Sequence, residues 1–139
     1  MHNVIELPDI ALTELAAWAR RAEAAGYDAI VAPDQPGAEP LVALAAVAAA
    51  TERIELITTL EMRPERTTTL LAKQAATVDV LSGGRLTVGI EVSDAASAPP
   101  FHSAEELLAM HVDALRHLWT GRVVAGHPAP LELALAVAA

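Results

Sequence analysis

The stretch from Arg66 to Glu91, RTTTLLAKQAATVDVLSGGRLTVGIE, leaves little freedom in what the chain can become. Leu71, Ala75, Val78 and Leu81 recur at helical spacing, so residues 68–81 are predicted to form a helix with one apolar face. Ser82-Gly83-Gly84 stops it, because glycine takes the left-handed backbone that closes a helix C-terminus. Leu86-Thr87-Val88-Gly89-Ile90 then reads as a short strand covered on both faces. Helix, tight turn and apolar strand make one step of an α/β protein. Glu91 stands at the end of that strand, where the question of function is concentrated.

The same alternation runs through the rest of the chain. Val4 to Leu7 is a first strand, followed by a helix with a Leu15, Trp18, Ala22, Ala25 stripe; Asp9 or Thr13 is placed to cap it and Gly26 to end it. Tyr27 to Ala32 is a second strand, closed by the loop Pro33-Asp34-Gln35-Pro36-Gly37. Pro40 suits the first turn of a helix over Leu41–Ala50, which is apolar nearly all round and so needs cover on two sides. Arg53 to Leu60 is the third strand. After Glu91 comes a loop through Pro100, a capping box at Ser103 and Glu106, and a helix with Leu108, Val112, Leu115 and Trp119 along one face. Residues 1–121 thus form an α/β unit and 122–139 a tail, within which Leu131–Val137 reads equally as a strand or a helix. Alternating strands and helices imply a parallel sheet of four to five strands with right-handed crossovers.

Composition excludes several functions. A net charge of −9 and 3% aromatic residues argue against nucleic acid and anionic membrane as partners. The absence of cysteine removes disulfides and thiolate metal sites. The five histidines show no metal-ligand spacing, and neither a Ser-His-Asp set nor a G-x-G-x-x-G fingerprint is present. MHNVIELPD lacks the basic start and apolar run of a secretory leader, so a cytoplasmic protein is expected.

Four ordered segments resemble the luciferase-like monooxygenase family. They are Ala22-Glu23-Ala24-Ala25-Gly26-Tyr27-Asp28 with Ala32-Pro33-Asp34, then Ala49 to Leu56, then Leu71 to Leu86 with Val88-Gly89, and finally Leu115 to Gly121. The resemblance implies part of an eight-stranded (αβ) barrel and an oxidoreductase using flavin mononucleotide (FMN) or deazaflavin F420 on a small organic substrate. Two departures stand out. Gln35 follows Asp34 where many members carry histidine, and Gly89-Ile90-Glu91-Val92 has one glycine and a carboxylate where a glycine-rich turn is usual. A carboxylate opposes phosphate binding, which draws on bare N–H groups and positive ends.

Function in such barrels sits at the C-terminal ends of the strands. That rule gathers Glu6, Leu7, Asp9, Asp34, Gln35, Thr58, Thr59, Glu61 and Glu91 at one rim. Glu91 and Asp34 are the candidates for acid–base catalysis, with solvated loop acids as the rival reading. Gln35, Thr58, Thr59 and Gly89 are the candidates for holding a cofactor, although strand propensity alone would also place the two threonines. Arg85 is expected to pair with Asp79 and brace the turn, and His102 lies in the loop after the fourth strand.

A half barrel has two unpaired edges and an apolar inner face. Association is therefore expected, as a homodimer or with a longer relative, with the helices 41–50 and 68–81 in part of the contact. The alternative to a redox enzyme is a cofactor-free accessory subunit or a non-redox acid–base enzyme.

Overall fold

The computed structural model describes residues 2–35, 39–63, 66–91, 104–120 and 132–135. Five strands, β1 (Val4–Glu6), β2 (Ala29–Ala32), β3 (Glu55–Glu61), β4 (Leu86–Glu91) and β5 (Glu132–Leu135), lie side by side in chain order, every neighbouring pair parallel. Between them run α1 (Leu15–Ala24), α2 (Pro40–Ala50), α3 (Thr68–Ser82) and α4 (Ala104–Thr120). Strand order that follows chain order places successive helices on one side of the sheet, as in the wall of a barrel. The two-way reading of the tail resolves to strand over residues 132–135, because β4 has a free edge that a parallel partner satisfies.

Strand periodicity sorts the residues onto two faces. Ile30, Ala32, Leu56, Thr58, Leu60, Leu86, Val88 and Ile90 are buried on the helix side, against Leu41, Leu44, Val47, Leu71, Ala75, Val112 and Leu115. The opposite face carries Val31, Ile57, Thr59, Glu61, Thr87 and Glu91, all partly exposed. Cover of β4 is complete on the helix side; on the other face Gly89 is buried but Thr87 and Glu91 are partly exposed, which corrects the expectation of a strand sealed on both faces. Likewise α2 is buried on its sheet side through Leu41, Leu44 and Val47, while Val42 is 57% exposed.

Local signals mostly act as their chemistry dictates. Gly83 takes the left-handed conformation at φ 68° and ends α3. The apolar stripe of α3, however, continues from Val78 to Ser82, while Leu81 is 51% exposed. An advance of four residues from Val78 stays on the face set by Leu71 and Ala75, and one of three drifts off it. Neither Asp9 nor Thr13 caps α1: a single 3-10 turn, Leu12–Glu14, leads straight into the helix, and Leu15 N–H bonds to the Leu12 carbonyl. Ser103 lies outside the described residues.

Two charged side chains organise the end of the sheet opposite the rim. The Glu23 carboxylate, near the end of α1, accepts the backbone N–H groups of Glu52, Arg53 and Ile54 at 2.6–3.2 Å. Three successive amides converging on one carboxylate tie α1 to the turn entering β3. Glu23→Gln keeps the shape and removes the charge; it is expected to lower stability by about 1–2 kcal/mol, the difference between charge-assisted and neutral hydrogen bonds. Urea unfolding followed by circular dichroism reads this, and an unchanged midpoint contradicts it.

The second is Arg85, which binds oxygens of the backbone and one hydroxyl. Its Nε donates to the Ser82 carbonyl, one terminal nitrogen to Thr51 Oγ1 and the Ile54 carbonyl, and the other to the carbonyls of Ala48 and Thr51, at 2.6–3.0 Å. Those bonds occupy all five N–H donors of a guanidinium. The turn is braced by Arg85 as expected, but through these oxygens in place of the Asp79 carboxylate.

Candidate functional site

The C-terminal ends of β1 to β4 form the rim, and the structure divides the predicted site residues among three places. Register explains the first division. Thr58 and Thr59 are consecutive in β3, so their side chains leave opposite faces. Thr58 is fully buried on the helix side, where its Oγ1 donates to the Ala32 carbonyl at 2.8 Å. Thr59 is level with Gly89 on β4, and Glu61 is level with Glu91. Thr59, Glu61 and Glu91 are partly exposed on this face, while Gly89 among them is buried. Gly89 in turn is level with Ala134 in β5.

Asp34, just past β2, belongs to an ion-pair network. Its Oδ2 accepts the Glu61 N–H at 2.9 Å and one terminal N–H of Arg66 at 2.9 Å; its Oδ1 accepts from the other terminal nitrogen at 3.2 Å. Arg66 also donates to the Glu61 carbonyl at 2.6 Å and to Glu39 Oε2 at 3.4 Å. Arg63 reaches Glu61 at 3.1 Å and Asp34 at 3.7 Å. Arg66 thereby joins the loop after β2, the end of β3 and the start of α2, where Glu39 accepts the Leu41 N–H as N-cap.

Burial by itself raises the Asp34 pKa, but the hydrogen bonds from Arg66 and the Glu61 N–H, with the charges of Arg66 and Arg63, outweigh it and hold the carboxyl below its ordinary value. A carboxylate kept ionised and bonded at both oxygens is an anchor and a poor proton acceptor near neutrality. The geometry thus moves Asp34 from the acid–base candidates to the scaffold of the rim. Glu91 stays on the open face, half-buried, its backbone carbonyl taking the Met62 N–H at 2.8 Å.

Gln35 falls in the third place. A cavity of about 430 Å³ opens between the ends of β1 and β2 and the first turns of α1 and α2, lined by Gln35 together with Glu6, Asp9, Leu15, Ala32 and Ala43 among others. It lies away from Glu61 and Glu91. His111 bonds through Nδ1 to Thr68 Oγ1 at 3.0 Å, between α4 and α3, and His102 is outside the described residues. Among the described residues, no three His, Asp or Glu side chains converge as metal ligands.

Sequence reasoning missed Arg63, Arg66, Glu39 and Glu23 as organisers. A signal existed for Glu39: an acid just before Pro40, at a helix start. Arg66 gave none, because the carboxylates it binds lie 27 and 32 residues away in the chain.

The ionisable groups combine into a pH dependence. Asp34 and Glu23 have folded pKa values below their ordinary ones; for Glu23 too, burial raises the value and the three amides with Arg53 more than reverse it. Their contribution to stability is complete above about pH 4 and is lost as pH falls through their lowered folded values. Burial pushes His111 down. The unfolded chain then takes up that proton first, so stability begins to decline below about pH 6.5. A shallow loss towards pH 5 and a steep one below pH 4 are expected in urea midpoints; in His111→Gln the shallow part disappears. A midpoint independent of pH from 7 to 3 contradicts both assignments.

Comparison with known proteins matches this architecture. The chain is 37% identical over 89 residues to an uncharacterized protein of Mycobacterium tuberculosis, covering 59% of this chain and 31% of that protein. It therefore spans about a third of the length of the curated relatives it matches. Among solved structures it resembles the coenzyme F420-dependent tetrahydromethanopterin reductase of Methanopyrus kandleri, with a TM-score of 0.58, 28% identity, and coverage of 65% of this chain and 26% of that one. It also resembles a monooxygenase of Streptomyces bottropensis, with a TM-score of 0.67, 25% identity, and coverage of 86% and 43%. The family model described as luciferase-like monooxygenase matches residues 2–133, nearly the whole chain, and the chain belongs to that family.

Proposed function

We propose that this chain forms part of a flavin- or F420-dependent oxidoreductase acting on a small organic substrate, its site completed by further polypeptide. The observation that carries this reading is the open face of β3 and β4. There Thr59, partly exposed, lies level with the buried Gly89, whose lack of a side chain keeps the face a shallow strip beside Glu61 and Glu91. A planar ring has room against such a strip, with Thr59 Oγ1 as a hydrogen-bonding group. The phosphate of such a cofactor does not fit the same rim. Arg63 and Arg66 already face three carboxylates, those of Asp34, Glu39 and Glu61, which leaves no net positive charge for an anion. Its holder belongs to the further polypeptide that completes the site. When bound, the cofactor supplies the redox chemistry. This chain's part is to present the ring-facing strip, to exclude water from it once the inner face is covered, and to place the Glu91 carboxylate beside it.

The partner in this proposal is a second copy or a longer relative. Besides the open inner face, the outer groove between α2 and α3 is lined by Val42, Ala45, Gln74, Thr77 and Val78 with Lys73 and, among the described residues, carries no carboxylate, on a chain of net charge −9. Like-charge repulsion between two chains is smallest at such a face.

The test is titration with FMN and with F420, read by cofactor fluorescence, on protein whose solution mass is measured by light scattering. Saturable binding by an associated species is expected. Gly89→Val is expected to weaken binding about tenfold or more, a loss of ~1.4 kcal/mol, by raising the strip. Folded, associated protein that binds neither cofactor removes the redox reading. The crowding of carboxylates around both arginines would then favour the second reading, a cofactor-free accessory subunit.

A further inference from the structure

The cavity between β1 and β2 has no part in the reading above. Its apolar wall faces the helix layer, where Ala32 is level with Thr58 and both are buried, while Glu6 is level with Val31 and so reaches the mouth from the opposite face of the sheet. Its volume, about 430 Å³, lies within the range of small-molecule sites. Its wall and its mouth differ in chemistry. Leu15, Ala32 and Ala43, all buried, supply apolar depth from α1, β2 and α2. Glu6, Asp9 and Gln35, all exposed, stand at the opening.

Two features set the sign of what can enter. No arginine, lysine or histidine lines the cavity among the described residues. Among the described residues neither Glu6 nor Asp9 takes part in an ion pair, in contrast to Asp34, Glu39 and Glu61 on the neighbouring rim. Two uncompensated carboxylates over an apolar pocket repel an anion and leave a neutral guest without a strong orienting contact. An aliphatic ammonium satisfies both parts: the chain occupies the pocket and the N–H groups reach the carboxylates and the Gln35 amide oxygen. The surplus of acidic residues over the whole molecule raises the local concentration of cations in the same direction.

We propose that this cavity is a binding subsite for a small aliphatic ammonium compound. The proposal does not depend on a flavin or F420, because the residues it uses are separate from the strip of β3 and β4.

The test uses the full chain and two probes of one shape and opposite charge, n-butylammonium and butyrate, followed by amide ¹H–¹⁵N spectra. Saturable shifts centred on Leu15, Ala32 and Ala43 are expected with the ammonium, with a dissociation constant on the order of millimolar for so small a ligand, and none with butyrate. The double variant Glu6→Gln, Asp9→Asn is expected to weaken binding about fivefold, as two partly exposed charge contacts allow. Ala43→Leu, which fills the pocket, is expected to abolish the shifts while its spectrum shows that the fold is kept. Equal response to butyrate, an unchanged affinity in the double variant, shifts centred on Glu61 and Glu91, or silence throughout the titration each overturns the proposal. Cofactor titrations are read separately, so failure here leaves the oxidoreductase reading standing, and the reverse also holds.

Discussion

Replacing Arg85 by methionine is expected to destabilise the protein by about 3–5 kcal/mol, a large share of the ~5–15 kcal/mol that holds a domain of this size together. Methionine fills similar space but donates nothing. The carbonyls of Ala48, Thr51, Ile54 and Ser82 and the Thr51 hydroxyl would each lose a donor at once. Burial pulls the Arg85 pKa down and Glu23 nearby pushes it up, so the charge sits in a site that has little water to replace it. Lysine recovers only part of the loss, since three donors on one nitrogen cannot span oxygens contributed by α2, the turn before β3 and the end of α3. The measurement is urea unfolding followed by circular dichroism for Arg85→Met and Arg85→Lys. Losses below about 1 kcal/mol in both would show that the five bonds contribute no more than a surface contact does.

Arg66→Met is expected to cost about 2–4 kcal/mol and to change the chemistry of the rim as well. Side-chain exposure is 16% for Arg66 and 11% for Asp34, so the carboxylate it leaves behind is poorly solvated. Burial, already the largest influence on Asp34, then acts with less opposition, and its pKa should rise above the wild-type value. With that rise the acid-stability window contributed by Asp34 shrinks. Carbon-13 titration of the Asp34 carboxyl, together with amide exchange at Glu61, separates this from a general loss of structure. Arg66→Lys restores the charge without the fork that reaches both Asp34 oxygens, and its loss falls between zero and that of Arg66→Met. An unmoved Asp34 titration in Arg66→Met would show that Arg63 and the Glu61 amide hold the carboxylate by themselves.

The rim shows how far residues alone carried the site. Strand ends were readable, so Asp34, Gln35, Thr59, Glu61 and Glu91 were all assigned to the correct end of the sheet. Their division was not readable. Thr58 parts from Thr59 because the side-chain period of a strand is two, and which of them faces the helices depends on what packs there. Asp34 changes role because Arg66 approaches it from a different loop. Gln35 opens toward α1 and α2, a direction set by how the chain leaves β2.

Periodicity, glycine stops and the short β-branched runs determined by themselves that this chain alternates strand and helix, and where nearly every element lies. They could do so because propensity, capping and apolar spacing act over a few residues and need no distant partner. Only the tertiary structure decided that residues 132–135 add a strand to β4, that Arg85 binds carbonyls in place of the Asp79 carboxylate, and that Arg66 ties three elements at the rim. Those outcomes turn mainly on groups 27 or more residues apart in the chain, brought within hydrogen-bonding reach by the packing of helices on the sheet, and no local pattern records them.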